Sequence, residues 1–189
     1  MVTVKVGKAV SEDIITIKEV HNIPQEKLPA ICFCNGFTSL FGMLISLRTN
    51  EYYNHFMMLT SPHEFASQWW WYKKFPVEHF SKHAIKIVWN ENWTDVQRKV
   101  ILQSVENRMK EGPWKTRYDI LGVIGQAIGI PSLQNKKLDY CSETIKHIAL
   151  VDPECAKFLE SEPHPRPEEI NDWVKTQSGY RTLARVVPE

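Results

Sequence analysis

The sequence of 189 residues lacks the features that mark several classes of protein. It has no run of about 18 apolar residues, so a membrane-spanning helix is not expected. Its net charge is only +1, which gives no bulk electrostatic attraction to nucleic acid. The first residues lack the pattern of a secretory signal peptide. Together these absences predict a cytoplasmic protein, or one that another agent delivers outside the cell.

Cysteine is also scarce, with four residues at positions 32, 34, 141 and 155. Their spacing is not that of a disulfide framework, and the chain is long for a disulfide-stapled domain. Cys32 and Cys34 would share one face of a strand and could act as zinc ligands. Because no second Cys or His pair has matching spacing, no metal and no cofactor are predicted.

The residues that are present indicate one folded domain over 1–189. Hydrophobic residues make up 43% of the chain, and seven tryptophans point to a well-packed core, a stacking surface or both. Strand patterns come first and helical patterns follow, without an internal repeat, which predicts an α+β fold. We expect a core over about 30–152 and a C-terminal extension over 153–189 that could cover the site or bind a protein partner.

The element boundaries follow from local signals. Thr94 and Gln97 form a predicted capping box at the start of a helix that Gly112 and Pro113 end. The expected strands are two within 1–17 and others at 30–34, 42–47, 52–60, 65–72 and 84–89. The other expected helices are 118–129, 141–150, 168–176 and a short one in 76–83.

Cys141 is the most informative residue, because it stands at the start of a predicted helix in the segment DYCSET. The partial positive charge of a helix N-terminus lowers a cysteine pKa and favours the nucleophilic thiolate. Backbone N–H groups of the same turn could stabilise an oxyanion. The alternative is a buried structural cysteine, which is common.

His55 is the histidine that lies inside an apolar strand, on the face shared by Met57 and Leu59. It could act as the base for Cys141, or be a core histidine bonded to backbone. Gln68 is a polar residue in an aromatic run, and its carbonyl oxygen could orient the His55 ring. An edge or surface glutamine is the alternative. Trp70 would share a strand face with Gln68 and could line a pocket, although core packing is the commoner role.

The ordered set of motifs resembles the circularly permuted branch of the NlpC-type papain-like cysteine hydrolases. The matching segments are 53–56 (YNHF), 66–68 (ASQ), 75–80 (FPVEHF), 118–122 (YDILG) and 140–143 (YCSE). The resemblance covers roughly 30–152. Two departures are a missing Gly-Asp pair before the first core strand and a glutamine at the third polar position.

The resemblance implies a permuted papain-like fold, with an antiparallel sheet or small barrel packed against helices. It implies cleavage of an amide bond through an acyl-enzyme on Cys141, with His55 as base and Gln68 orienting it. Tyr140 and Ser142 become candidates for lining the oxyanion pocket. Peptides, peptidoglycan peptides and acyl groups are the implied substrates, and a phage or lysis system is one route of delivery.

Two other functions remain open from the sequence. A lipid or thioester acyl hydrolase or acyltransferase on the same scaffold would need a deep apolar groove beside Cys141. A non-catalytic binding protein that kept the fold would have a Cys141 thiol of ordinary reactivity, or a His55 ring that points elsewhere.

Overall fold

The fold contains a seven-stranded sheet of mixed direction. The structure, a computed structural model, describes residues 13–35, 52–68, 71–116 and 144–189. The strands are β1 (Asp13–Ile15), β2 (Ala30–Cys34), β3 (His55–Ser61), β4 (Glu64–Gln68), β5 (Tyr72–Pro76), β6 (Ile85–Asn90) and β7 (Tyr180–Val186). Their order across the sheet is β1-β7-β6-β2-β3-β4-β5. β1 pairs with β7 in parallel, and the other neighbouring strands are antiparallel.

Helices accompany the sheet, which confirms the α+β class. They are α1 (Asp95–Lys110), α2 (Lys146–Ala149), α3 (Pro153–Ser161) and α4 (Pro167–Thr176), with 3-10 helices at Ile17–Asn22, Gln25–Lys27 and Val77–Phe80. The predicted capping box of α1 is present, since Thr94 accepts from the backbone N–H of Gln97. Gly112, at φ 79°, follows the end of this helix. The expected sheet or barrel is thus a mixed sheet, with β1 and β5 as edges among the described strands.

Two hydrophobic cores cover the two faces of the sheet. The helix-side core joins one face to the α-helices and includes Phe33, Phe56, Met58, Ile101, Val105, Ile145, Ile148, Ile170 and Val174. The loop-side core joins the other face to the 3-10 helices and includes Val20, Cys32, Cys34, Met57, Leu59, Phe65, Val77, Phe80 and Ile87. Residues alternate between the cores along β2, β3 and β4, as the two-residue period of a strand requires.

The structure corrects one expectation about the sheet. The segment 65–72 is not one extended run, because Gln68 ends β4 and pairs with Tyr72 at the start of β5. In the C-terminal segment, β7 lies between β1 and β6 inside the sheet. The expected strand at 42–47 and the expected helix at 118–129 lie outside the described residues.

Candidate functional site

His55 stands at the start of β3 and points to the loop side of the sheet. Met57 pairs with Ser67 on β4, so the alternation of the strand places His55 and Ser67 on the same face. The Nε2 atom of His55 lies 2.6 Å from the Oγ atom of Ser67. Ser67 is fully buried, so the contact joins the imidazole to a fixed point on the neighbouring strand.

The surroundings of His55 favour its neutral form. The residue is partly exposed, yet burial lowers its pKa to about 4, and the nearby His83 ring adds to this effect. A neutral imidazole has one nitrogen that can accept a proton. Ser67 contacts the ring through Nε2, and Nδ1 is the second nitrogen of the ring.

Gln68 does not orient His55 in the described structure. It follows Ser67 on β4 and therefore points to the opposite, helix-side face of the sheet. Its side-chain amide donates a hydrogen bond to the backbone carbonyl of Thr116, in the loop that follows α1. The hydroxyl of Thr116 in turn accepts from the backbone N–H of Tyr72, at 3.2 Å. Gln68 thus ties the β4–β5 hairpin to α1. The contact with His55 that was expected of Gln68 is made by Ser67 instead.

A buried thiol, that of Cys34, lies on the strand next to His55. Cys34 is the direct antiparallel partner of His55 in the sheet, on the same loop-side face. Side chains in such positions have Cβ atoms about 4.5–5.5 Å apart. Cys34 is buried, forms no disulfide, and its thiol lies 3.7 Å from the carbonyl oxygen of Asn35. The sequence indicated this neighbour only through the strand pattern of 30–34, and its register with β3 was not predictable.

Cys141, Tyr140, Ser142 and Trp70 lie outside the described residues. The description resumes at Thr144, and Ile145 packs in the helix-side core, on the face opposite to His55.

The segment after Cys141 adds a buried polar group on the helix side. Within the part of the chain that the structure describes, the buried hydroxyls of Tyr72 and Thr144 have no hydrogen-bond partner of good geometry. Burial raises the Tyr72 pKa, and the neighbouring Thr144 hydroxyl partly opposes that rise. His147 contacts the Ser104 hydroxyl through Nδ1 at 2.9 Å, and burial lowers its pKa to about 4. His147 is therefore a second neutral histidine, on the side of the sheet from which the Cys141 segment continues.

A cavity of about 350 Å³ opens at the end of the sheet where His55 lies. Ile85 lies in the wall of this cavity and pairs with Cys34 on the next strand, and Cys34 pairs with His55. Neighbouring strands are about 5 Å apart, so two such spacings separate Ile85 from His55. The lining is mixed: apolar residues such as Ile85 and Val186 stand beside the charged residues Lys86, Glu168 and Arg185.

Buried hydrogen bonds hold these polar groups in place. The Lys86 ammonium donates to the side chain of Asn171 at 2.9 Å, and Asn171 donates to Glu168 at the same distance. Glu168 also accepts from the backbone N–H of Tyr53 at 3.3 Å. One part of the cavity wall is thus a hydrogen-bonded polar cluster that could bind a polar group of a ligand.

Comparison with known proteins leaves the family open. No family model matches the chain, and a search of curated proteins finds no match. No helix in the described ranges is long and apolar enough to cross a membrane. Within those same ranges, no group of three or more His, Cys, Asp or Glu side chains is arranged to hold a metal ion.

Proposed function

We propose that the protein is a cysteine hydrolase that cleaves an amide bond, with Cys141 as nucleophile and His55 as base. The contact between His55 and Ser67 is the observation that carries this proposal. It fixes the orientation of the ring on the neighbouring strand, as the base of a nucleophile–base pair requires. Ser67 takes the orienting role that the resemblance gave to Gln68.

The chemical steps follow from these roles. His55 takes the proton of the Cys141 thiol, and the thiolate attacks the carbonyl carbon of the substrate amide. The carbon–nitrogen bond then breaks, and His55 gives the proton to the departing amine. His55 next takes a proton from water, and the resulting hydroxide cleaves the thioester. The acid leaves, and the proton held by His55 restores the thiol.

Polar groups in part of the cavity wall support a peptide-like substrate. Lys86, Glu168 and Asn171 stand there beside apolar residues such as Ile85 and Val186. Charged and amide side chains match the polar groups of a peptide better than a hydrocarbon. Peptidoglycan peptides are therefore the first substrates to screen, and acyl esters serve as the comparison.

The rate of Cys141 alkylation by iodoacetamide as a function of pH tests the proposal. Peptide mapping separates Cys141 from Cys32, Cys34 and Cys155. A thiolate at Cys141 would favour the charged form of His55 against the burial that keeps it neutral, so the two would ionise together and we expect Cys141 to react below pH 7 in the native protein. In His55→Ala the onset should rise towards the free-cysteine value of about 8.5. His147→Ala is the matched control, because it removes the other buried neutral histidine and should leave the onset unchanged.

Three outcomes would count against the proposal. If His147→Ala moves the onset and His55→Ala does not, the base is His147 and the assignment is wrong. If Cys34 reacts at low pH instead of Cys141, the poised thiol is the strand partner of His55. If no thiol depends on either histidine, a non-catalytic binding protein becomes the better hypothesis, as the separation of Thr144 and His55 on opposite faces would suggest.

A further inference from the structure

Two histidines and a glutamate converge on the loop side of the sheet, away from the proposed active site. His21 comes from the 3-10 helix Ile17–Asn22, His63 from the turn between β3 and β4, and Glu78 from the 3-10 helix Val77–Phe80. The Nδ1 atoms of His21 and His63 lie 2.7 Å apart. The Nε2 atom of His21 lies 2.7 Å from a carboxylate oxygen of Glu78.

The carboxylate determines where the His21 proton resides. An exposed glutamate is ionised at neutral pH, so the Glu78 carboxylate can only accept the hydrogen bond from His21. In its neutral form His21 therefore carries its proton on Nε2. Its Nδ1 lone pair points at His63, which must donate from its own Nδ1 to make the contact.

We infer that the Nδ1 atoms of His21 and His63 form a binding site for a divalent late transition-metal ion such as Zn²⁺ or Cu²⁺. If the proton of His63 moves from Nδ1 to Nε2, both Nδ1 atoms carry a lone pair at their contact. Metal–nitrogen bonds of about 2.0–2.1 Å place two ligand nitrogens about 3.0–3.4 Å apart. The present spacing has to widen by only a few tenths of an ångström.

The surroundings suit such a site. A carboxylate bonded to the outer nitrogen of a ligand histidine fixes the ring and makes it a better donor, and Glu78 holds this position on His21. The His21 side chain is 29% exposed, so an ion can enter and water can complete its coordination. Imidazole nitrogens suit zinc, copper and nickel, and Cu²⁺ binds such ligands more tightly than Zn²⁺.

Metal binding would connect separate parts of the fold. The three side chains come from segments that meet only in the folded protein, so an ion held between them stabilises the native state. It would fasten the 3-10 helix Ile17–Asn22 to the β3–β4 turn. This helix contributes Val20 to the loop-side core that His55 also faces.

Calorimetric titration and thermal unfolding with ZnCl₂ and with CuCl₂ test this site in the full chain. We expect one saturable site, with tighter binding of Cu²⁺, and a melting temperature that rises with metal concentration. His21→Ala and His63→Ala should each abolish the site. Glu78→Gln should weaken binding by about 10–100-fold, the typical loss when such an outer partner of a ligand is changed. Affinity should fall in acid, because protonated imidazole cannot coordinate.

His164→Ala is the matched control, because it removes a histidine in the connection between α3 and α4 and should leave binding unchanged. Circular dichroism of each variant without metal shows whether it is folded, and His21→Gln and His63→Gln replace any alanine variant that is not. If the native protein binds neither ion, the inference is wrong. It is also wrong if binding survives in the folded His21 and His63 variants. Neither result bears on the hydrolase proposal, which is tested without metal.

Discussion

The Nε2 atom of His55 and the Oγ atom of Ser67 lie 2.6 Å apart, between neighbouring strands on the loop-side face of the sheet. Gln68, the next residue along, points to the opposite face and bonds to Thr116. Ser67 and Gln68, the two polar residues at the end of β4, therefore have separate roles. Ser67 holds the His55 ring, and Gln68 anchors the β4–β5 hairpin.

Substitution of the two residues should separate these tasks. We expect Ser67→Ala to raise the onset pH of Cys141 alkylation, because the His55 ring loses its fixed orientation. Gln68→Ala should leave that onset unchanged. Each variant should lose about 1–3 kcal/mol of unfolding free energy in urea, because a buried partner is left unpaired. An alkylation shift in Gln68→Ala alone would contradict the placement of the two side chains.

The buried histidines should make the fold sensitive to acid. The pKa of His147 falls from 6.5 to about 4 in the folded protein, so folding favours the neutral ring. Its contribution to stability is complete above about pH 6.5 and is lost as the pH falls towards 4, by up to about 3 kcal/mol. We expect His147→Gln to flatten the dependence of the unfolding free energy on pH between 6.5 and 4.

Urea unfolding at several pH values measures this effect. Between pH 7 and 8 the native protein and His147→Gln should differ by a constant amount, because the histidine is neutral in both the folded and the unfolded state there. Folding also lowers the pKa of His55. In the double variant His55→Gln, His147→Gln the unfolding free energy should therefore depend even less on pH. Parallel curves for the native and variant proteins below pH 6.5 would show that His147 is not desolvated.

Asp152 should be one of the most sensitive positions for stability. Its carboxylate accepts hydrogen bonds from the Tyr180 hydroxyl at 2.7 Å, from Asn90 at 3.3 Å and from the Trp93 indole at 3.4 Å. It also caps α3 through two backbone N–H groups. We expect Asp152→Ala to lower the unfolding free energy by about 3 kcal/mol or more, since several buried donors lose their acceptor.

Asp172 gives the matched control for this prediction. It is an aspartate on α4 whose contact is an exposed ion pair with Lys175 at 2.7 Å. Such pairs contribute little, so Asp172→Ala should change stability by no more than about 0.5–1 kcal/mol. Equal losses in the two alanine variants would mean that the Asp152 network does not hold β6 and β7 to the helices.

The end of α1 offers a test of backbone conformation alone. Gly112 has φ 79°, and a Cβ added there would contact nothing within 4 Å. Gly112→Ala should therefore cost about 1–2 kcal/mol through backbone strain and not through a clash. Gly112→Asn should cost less, because asparagine adopts this conformation more readily. Thermal and urea unfolding of the two variants decide this, and an alanine variant as stable as the native protein would refute it.

Local signals in the sequence predicted much of the fold. The strand Ala30–Cys34 was predicted with its observed bounds, and the capping box of Thr94 and Gln97 marks the start of α1. Such signals act over a few residues and are visible without a structure. They do not determine which strands become neighbours. The place of β7 between β1 and β6 depends on residues far apart in the chain.

The candidate site was harder to predict for the same reason. His55 was identified from the polarity of one residue in an apolar strand, but the partner of its ring depended on the β3–β4 register. The hairpin that pairs Gln68 with Tyr72 was not predicted, because the aromatic run in this segment resembled a single strand. Ser67 is a small residue with no distinguishing neighbours, so only the register could identify it. Whether Cys141 meets His55 stays a prediction.

The interior position of β7 has a consequence for biosynthesis. The ribosome releases β6 long before residues 180–186 emerge. One edge of β6 therefore stays unpaired while α1 to α4 are synthesised. An unpaired strand edge is a template for association with other chains. β1 also stays unpaired until β7, its partner in the sheet, is synthesised. Translation arrested before Tyr180 would therefore leave nascent chains that need a chaperone to stay unaggregated.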